Sequence, residues 1–420
     1  MKVLYVQYAN PGAYPPLEHS SRILAEMGWH VLALGIGLRG TEALRFAPHP
    51  NIEIRLLKYC PPGWRQKLHF TIFGLWTLGW VLRWRPKWIY ASDPFSCPIA
   101  LALTFLPGLR VVYHEHDSPN QESGKRKAGI RKTESAEQTR HLTPALSPNE
   151  AERERKSDFR FPISDFQKLI LWCRKKLAQR AGFCILPNEK RIEVFKEQTG
   201  TTGPVLCVWN CPRKEEAIAP SELRTPNSEL RNFVVFYHGS IVPARVPLTV
   251  LQAISQLQCN VRFQMAGYET IGNRGYIAAL QAEAVRLGIR ERFEYLGAFA
   301  REELLPLCRK ADVGLSLMPN TTSDLNEQAM TGASNKPFDY LACGVPLLVS
   351  DLPEWRKMFV EAGYALACNP GDPQSIAEAL RWFIEHPEET RQMGERGCDR
   401  ILKEWNYEAQ FAPVVAGMEF

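Results

Sequence analysis

Residues 333–351 read ASNKPFDYLACGVPLLVSD. Ser334 and Asn335 are residue types that open helices, because their side-chain oxygens accept from the unpaired N–H groups of a first turn. Gly344 ends the helix and Pro346 leads into a short apolar strand. Lys336 falls in the first turn, where the helix dipole disfavours a cation. A lysine tolerated there implies an anion beside it, and backbone N–H groups with Lys336 make a diphosphate site. Asp339 lies one turn on, close to the same face, where a carboxylate can accept from ribose hydroxyls. Read alone, the segment is more simply a capped helix carrying surface charges.

Working outward, the same hand-over between strand and helix recurs along the chain. Short β-branched or apolar runs at 3–7, 31–34, 52–57, 88–90, 110–113, 183–187 and 204–208 read as buried parallel strands. Helical patterns lie between them, at 17–27, 64–84, 95–105, 166–181 and 189–198. A second series of strands follows at 233–237, 261–266, 293–296, 313–317 and 346–349. The expected fold class is α/β, with two Rossmann-like doubly wound domains facing across a cleft. The expected boundaries are 1–212 for the first domain, 213–231 for a linker, 232–404 for the second domain, and 405–420 for a C-terminal helix.

Two polar stretches interrupt the pattern, at about 121–165 and at 213–231. Both carry an S-[DE]-[FL]-R-x-P unit, from Ser157 and from Ser221. They read as inserted repeats without regular structure, which loops accept cheaply.

The composition excludes other classes. Of 420 residues, 45% are hydrophobic and 23% charged, as in ordinary soluble proteins, so general disorder and a disulfide scaffold are ruled out. The net charge of +6 is small for the length and gives no reason to expect a nucleic-acid partner. The 11 Cys are scattered and without metal-finger spacing, and the first apolar run breaks at Asn10-Pro11-Gly12, too short for a signal peptide. A cytoplasmic location with reduced thiols is expected.

In sequence order, several pieces resemble glycosyltransferase family 4, the large retaining family of GT-B fold. FDYLACGVPLLVSD resembles its donor-binding helix and strand. Met265-Ala266-Gly267 resembles its strand-ending turn, 293–297 (FEYLG) its next strand, and 311–315 (ADVGL) the one after. In the first domain, 89–95 (IYASDPF) and 111–117 (VVYHEHD) resemble further family segments, as does Val208-Trp209-Asn210 at the exit. The resemblance implies a nucleotide diphosphate sugar as donor, with no cofactor and no metal, and a saccharide or lipid-linked acceptor of the cell envelope. The C-terminal helix would cross back to the first domain.

The implied donor residues are Gly12, Gly239, Ser240, Arg245, Gly267, Ser334, Asn335, Lys336 and Asp339, and the implied catalytic pair is His116 and Asp117. Two positions depart from the family pattern. Ser240 stands where an arginine is usual, with Arg245 at the lysine position. Thr331, eight residues before Asp339, stands where a sugar-contacting glutamate is usual. Lys336 is then expected to offset the missing arginine. An epimerase of the same fold and a non-catalytic donor-binding member are the rival readings.

Three features admit more than one reading. His114 and His116 share a face at a strand's carboxyl end, so a metal pair with Asp117 and a merely structural pair stand beside the family role. Gly35-Ile36-Gly37-Leu38-Arg39-Gly40 has the form of a dinucleotide-binding loop, but Pro48 and Pro50 leave too little chain for the helix it needs, so a flexible loop is expected. The helix at 64–84 is either a core helix or a peripheral membrane element presenting Trp64, Trp76, Trp80 and Trp84 between Arg65, Lys67, Arg83 and Arg85.

Overall fold

The computed structural model describes residues 1–37, 43–61, 63–119, 165–218, 232–257 and 260–419. Its first lobe is a seven-stranded parallel sheet: β1 (Lys2–Val6), β2 (His30–Ile36), β3 (Ile52–Leu57), β4 (Trp88–Ser92), β5 (Arg110–His114), β6 (Phe183–Leu186) and β7 (Val205–Cys207). They are ordered β3-β2-β1-β4-β5-β6-β7. The central strands are buried on both faces, which accounts for their unbroken apolar runs. One face is covered by α2 (Trp64–Trp84), α3 (Cys97–Leu103), α4 (Asp165–Ala178) and α5 (Glu189–Thr199). The Asn188 side chain caps α5 by accepting from the N–H groups of Lys190 and Arg191.

The other face is covered by α1 (Pro15–Glu26) and by a helix from the far end of the chain. In that distant helix, Tyr407, Phe411, Val414 and Met418 recur at helical spacing and pack fully buried against Val3, Trp88 and Phe183. The Trp88 indole donates to the Met418 carbonyl at 2.9 Å.

The second lobe repeats the plan with β8 (Phe233–Ile241), β9 (Val261–Glu269), β10 (Phe293–Gly297), β11 (Val313–Ser316), β12 (Leu347–Ser350) and β13 (Ala365–Cys368), ordered β10-β9-β8-β11-β12-β13. Its helices are α6 (Thr249–Ser255), α7 (Tyr276–Arg286), α8 (Arg301–Cys308), α9 (Asn335–Ala342), α10 (Pro373–Glu385) and α11 (Pro387–Lys403). The returning helix is α12 (Tyr407–Glu419). In each sheet the order reverses beside the first strand, between β1 and β4 and between β8 and β11. Such a switch point leaves a crevice at the carboxyl ends of the strands.

The structure departs from the sequence reading, or decides it, in four places. β13 was not anticipated, because its ALAC sequence lacks β-branched residues. β8 and β9 each run several residues further than expected, pairing Gly239 with Gly267 and Ser240 with Tyr268, so that a two-stranded projection enters the cleft. Residues 213–218, expected to be the start of an inserted stretch, join the lobes: Arg213 is buried on Glu26 and Glu408, and Glu216 accepts from Arg301. Their charges are paired, so polarity there does not mean a loose loop.

The fourth place is α2, where the structure decides between the two readings in favour of the core helix for three of the four tryptophans. Trp76, Trp80 and Trp84 pack toward the first core, and only Trp64 stands fully in solvent. Most of both repeat stretches, and Leu38–Gly40 of the glycine-rich loop, fall outside the described residues.

Candidate active site

A cavity of about 420 Å³ lies between the lobes, where the two switch points face each other. It is lined by Gly12, His116 and Asp117 from the first lobe. From the second come Gly239, Ser240, Arg245, Gly267, Ser334, Asn335 and Lys336. Of the eleven donor and catalytic residues implied by the sequence, all but Asp339 line it.

The anion side is built by β8, β9 and α9. Gly267 (φ +148°) crosses so closely over Gly239 that a Cβ on Gly267 would stand on the Gly239 carbonyl oxygen. Gly239 itself has φ +109°, and the Lys336 side chain lies directly across it. We expect Gly267→Ala to lower the melting temperature by several degrees, because both the contact and the backbone conformation oppose a side chain. Calorimetry checks this; an unchanged melting curve would show that the strand pair has room to spread.

Ser334 occupies the N-cap position of α9, but its side chain makes no capping bond, so the first turn keeps free donors toward the cavity. Burial and the nearby Arg245 charge push the Lys336 amine down to about 7. The Arg245 guanidinium donates to the Ser240 hydroxyl at 2.6 Å. Lys336, Arg245 and the α9 N-terminus thus concentrate positive potential at one end of the cavity.

Asp339 is placed otherwise than the sequence reading supposed. Its carboxylate is fully buried and accepts from Arg301 at 2.7 Å, with His238 Nε2 at 3.6 Å. The group that reaches the cavity in its stead is Arg301. Arg301 also holds Glu216, whose carboxylate stands 3.1 Å from His19 Nε2 of the first lobe. Burial alone would raise Glu216, yet Arg301 and His19 hold it well below the usual carboxylate range.

Thr331 also turns away, its hydroxyl donating to Glu354 at 2.8 Å outside the cavity.

On the facing wall, His116 is buried, and burial together with the Arg191 charge pushes its imidazole down to about 3. It is neutral at ordinary pH. Its Nε2 is buried with no hydrogen-bond partner in the protein, the kind of orphaned atom a ligand hydroxyl satisfies. A neutral ring supplies a hydrogen bond, not a full positive charge. The His114 ring lies 3.9 Å from it but is fully buried behind it, held by the Tyr90 hydroxyl at 2.7 Å. Among the described residues no cluster of His, Cys, Asp or Glu is placed to hold a metal ion. At Gly12 the close approach is that of the Leu44 carbonyl, which leaves no room for a Cβ.

Three contributors were missed by the sequence reading. Tyr14 and Tyr268 line the cavity, with no motif to mark them. Arg191, fully buried, donates to the carbonyls of His116 (2.6 Å), Asn326 (2.8 Å) and Ala329 (2.9 Å), tying the His116 wall of one lobe to the short helix Leu325–Gln328 and its exit in the other. Asn326 strengthens the joint by exchanging two bonds with the Ser118 backbone. A lone arginine on a helix gives no sequence signal for such a role.

Residues 249–416 match a protein family described as "Glycosyl transferase-like". The second lobe is similar to that family. The chain's two-lobed fold is that of solved GT-B enzymes. Sucrose-phosphate synthase from Thermosynechococcus elongatus superposes with a TM-score of 0.67 at 14% identity, over 99% of this chain and 98% of that one. HepE from Anabaena, solved with UDP and glucose, gives 0.67 at 16% identity over 100% and 99%. WaaG, a glycosyltransferase involved in lipopolysaccharide biosynthesis, gives 0.63 at 12% identity over 99% of each chain. No curated protein matches the sequence. At these identities the superpositions speak for the fold alone; activity and substrates must be argued from the cavity.

Proposed function

We propose that the protein is a glycosyltransferase that moves a sugar from a nucleotide diphosphate sugar, with retention of configuration, to a saccharide or lipid-linked saccharide of the cell envelope. In this reading it works in the cytoplasm, peripherally on the inner face of the membrane. The observation that carries the donor side is the meeting of Lys336, Arg245 and the α9 N-terminus at one end of the cavity. As the glycosidic bond breaks, the leaving diphosphate gains negative charge, and fixed positive groups stabilise that state more than the ground state. These groups take the part that a metal ion plays elsewhere, and no cofactor is invoked.

His116 faces the sugar and satisfies a hydroxyl through its unpartnered Nε2. Asp117, exposed at the cavity rim, orients the acceptor beside it. HepE was solved with UDP and with UDP-glucose, which makes uridine diphosphate the first probe.

The test is thermal unfolding with UDP, ADP and GDP and their glucose esters, followed by product analysis. A ligand at a hundred times its Kd adds about 2.7 kcal/mol of stability, enough for a clear rise in melting temperature. We expect at least one nucleotide to give that rise. If none did, the donor site would be misassigned. An anomeric configuration inverted in the product would overturn retention.

A further inference from the structure

We infer that the outer face of α2, continued by α4, docks the protein on an anionic lipid bilayer. A helix covering a sheet normally sends its apolar stripe inward and polar residues outward. α2 is apolar on both sides. Phe73, Thr77 and Val81 are buried against the sheet. Opposite them, Trp64, Leu68, Ile72, Leu75, Leu78 and Leu82 follow one another at three- and four-residue steps, each between 36% and 72% exposed. The surface is therefore not the tryptophan face named from the sequence, of which three members point inward.

The stripe does not stand alone. The ring of Phe70 meets that of Phe166 at 5.4 Å, joining α2 to α4, where Leu169 and Trp172 are exposed. An exposed apolar patch that spans two helices marks an interaction surface.

Charge selects the occupant. α2 contains no acidic residue, and Arg65, Lys67 and Arg83 flank its stripe. α4 adds exposed Lys168, Lys175 and Lys176 against a single Asp165. Apolar residues bordered by cations are what an anionic headgroup layer receives. Among the described residues no helix is long and apolar enough to cross a membrane, so α2 lies in the plane of the interface, about 30 Å of helix at 1.5 Å per residue.

The placement also bears on the acceptor, on the strength of the function proposed above. Tyr8, just past the carboxyl end of β1, meets His69 Nδ1 at 2.8 Å and stacks edge-on against Phe70. The N-terminal half of α2 therefore adjoins the cleft rim. A lipid-linked acceptor can present its sugar there while its chains stay in the bilayer.

The experiment is co-sedimentation with vesicles of phosphatidylcholine, with and without phosphatidylglycerol, using the full chain and the double variant Leu68→Glu/Leu75→Glu. Both side chains stand in solvent, so the variant should keep the wild-type melting temperature and response to UDP. We expect the wild type to sediment with the anionic vesicles, less so at high salt, and the variant to lose affinity on the order of a hundredfold. The inference fails if the wild type stays in solution with both vesicles, or if the variant binds equally. It also fails if the wild type is a dimer that the variant breaks, since the stripe then belongs to a second copy. Vesicle binding without any response to nucleotides would leave the docking surface standing and remove the donor site.

Discussion

Lys336→Ala should weaken UDP binding by on the order of tenfold to a hundredfold, the loss of one charge-assisted contact to a diphosphate. The pH dependence makes this result specific. Burial and the Arg245 charge hold the Lys336 amine down to about 7. A bound diphosphate favours the charged amine and raises that value, so binding takes up a proton above pH 7. By linkage, UDP affinity should fall between pH 7 and pH 9, by up to about tenfold per unit. Lys336→Ala should flatten that fall, and so should Lys336→Arg, whose charge does not titrate there. Isothermal titration at three pH values decides it. An alanine variant with unchanged affinity would remove Lys336 from the donor site.

Arg191→Met should be the most damaging single change to the joint between the lobes. The guanidinium is 1% exposed and donates to three carbonyls on two lobes. Methionine fills much of the volume but leaves those carbonyls without their donor, a cost on the order of 3–5 kcal/mol. Melting should drop by about 10 °C. Turnover should fall as well, because the His116 carbonyl loses its anchor and the imidazole its fixed position. Arg191→Lys should recover only part, since an ammonium cannot reach three acceptors in a planar fork. A variant melting like the wild type would show that the Asn326–Ser118 exchange holds the lobes unaided.

How much of this was legible beforehand follows from what kind of signal each part leaves. Parallel strands buried on both faces leave apolar runs, and those at 52–57 and 183–187 came out within a residue of their ends. The anion side of the cavity leaves short local motifs, because an N-cap serine and a lysine open one helix while glycines sit where the two neighbouring strands cross. Asp339 shows the limit. Its place in the motif was evident, yet its partner Arg301 lies 38 residues away, and only the packed structure shows that the pair closes on itself. Arg191 and Tyr268 act through contacts made across the cleft, which no spacing encodes. For α2 the sequence left a core helix and a tryptophan-bearing membrane face side by side, and helical phase decides it by turning three of the four tryptophans inward.

The returning helix has a bearing on biosynthesis. α12 fills the core of the first lobe, yet its residues are synthesised only after the whole second lobe. While the ribosome is still making residues 232–404, the sheet that emerged first stands with an apolar face uncovered, at Val3, Trp88 and Phe183. The N-terminal lobe therefore cannot finish before the C-terminal one, the reverse of the order in which most two-domain chains mature. In the growing chain the first lobe keeps that apolar face open until Tyr407, Phe411, Val414 and Met418 arrive.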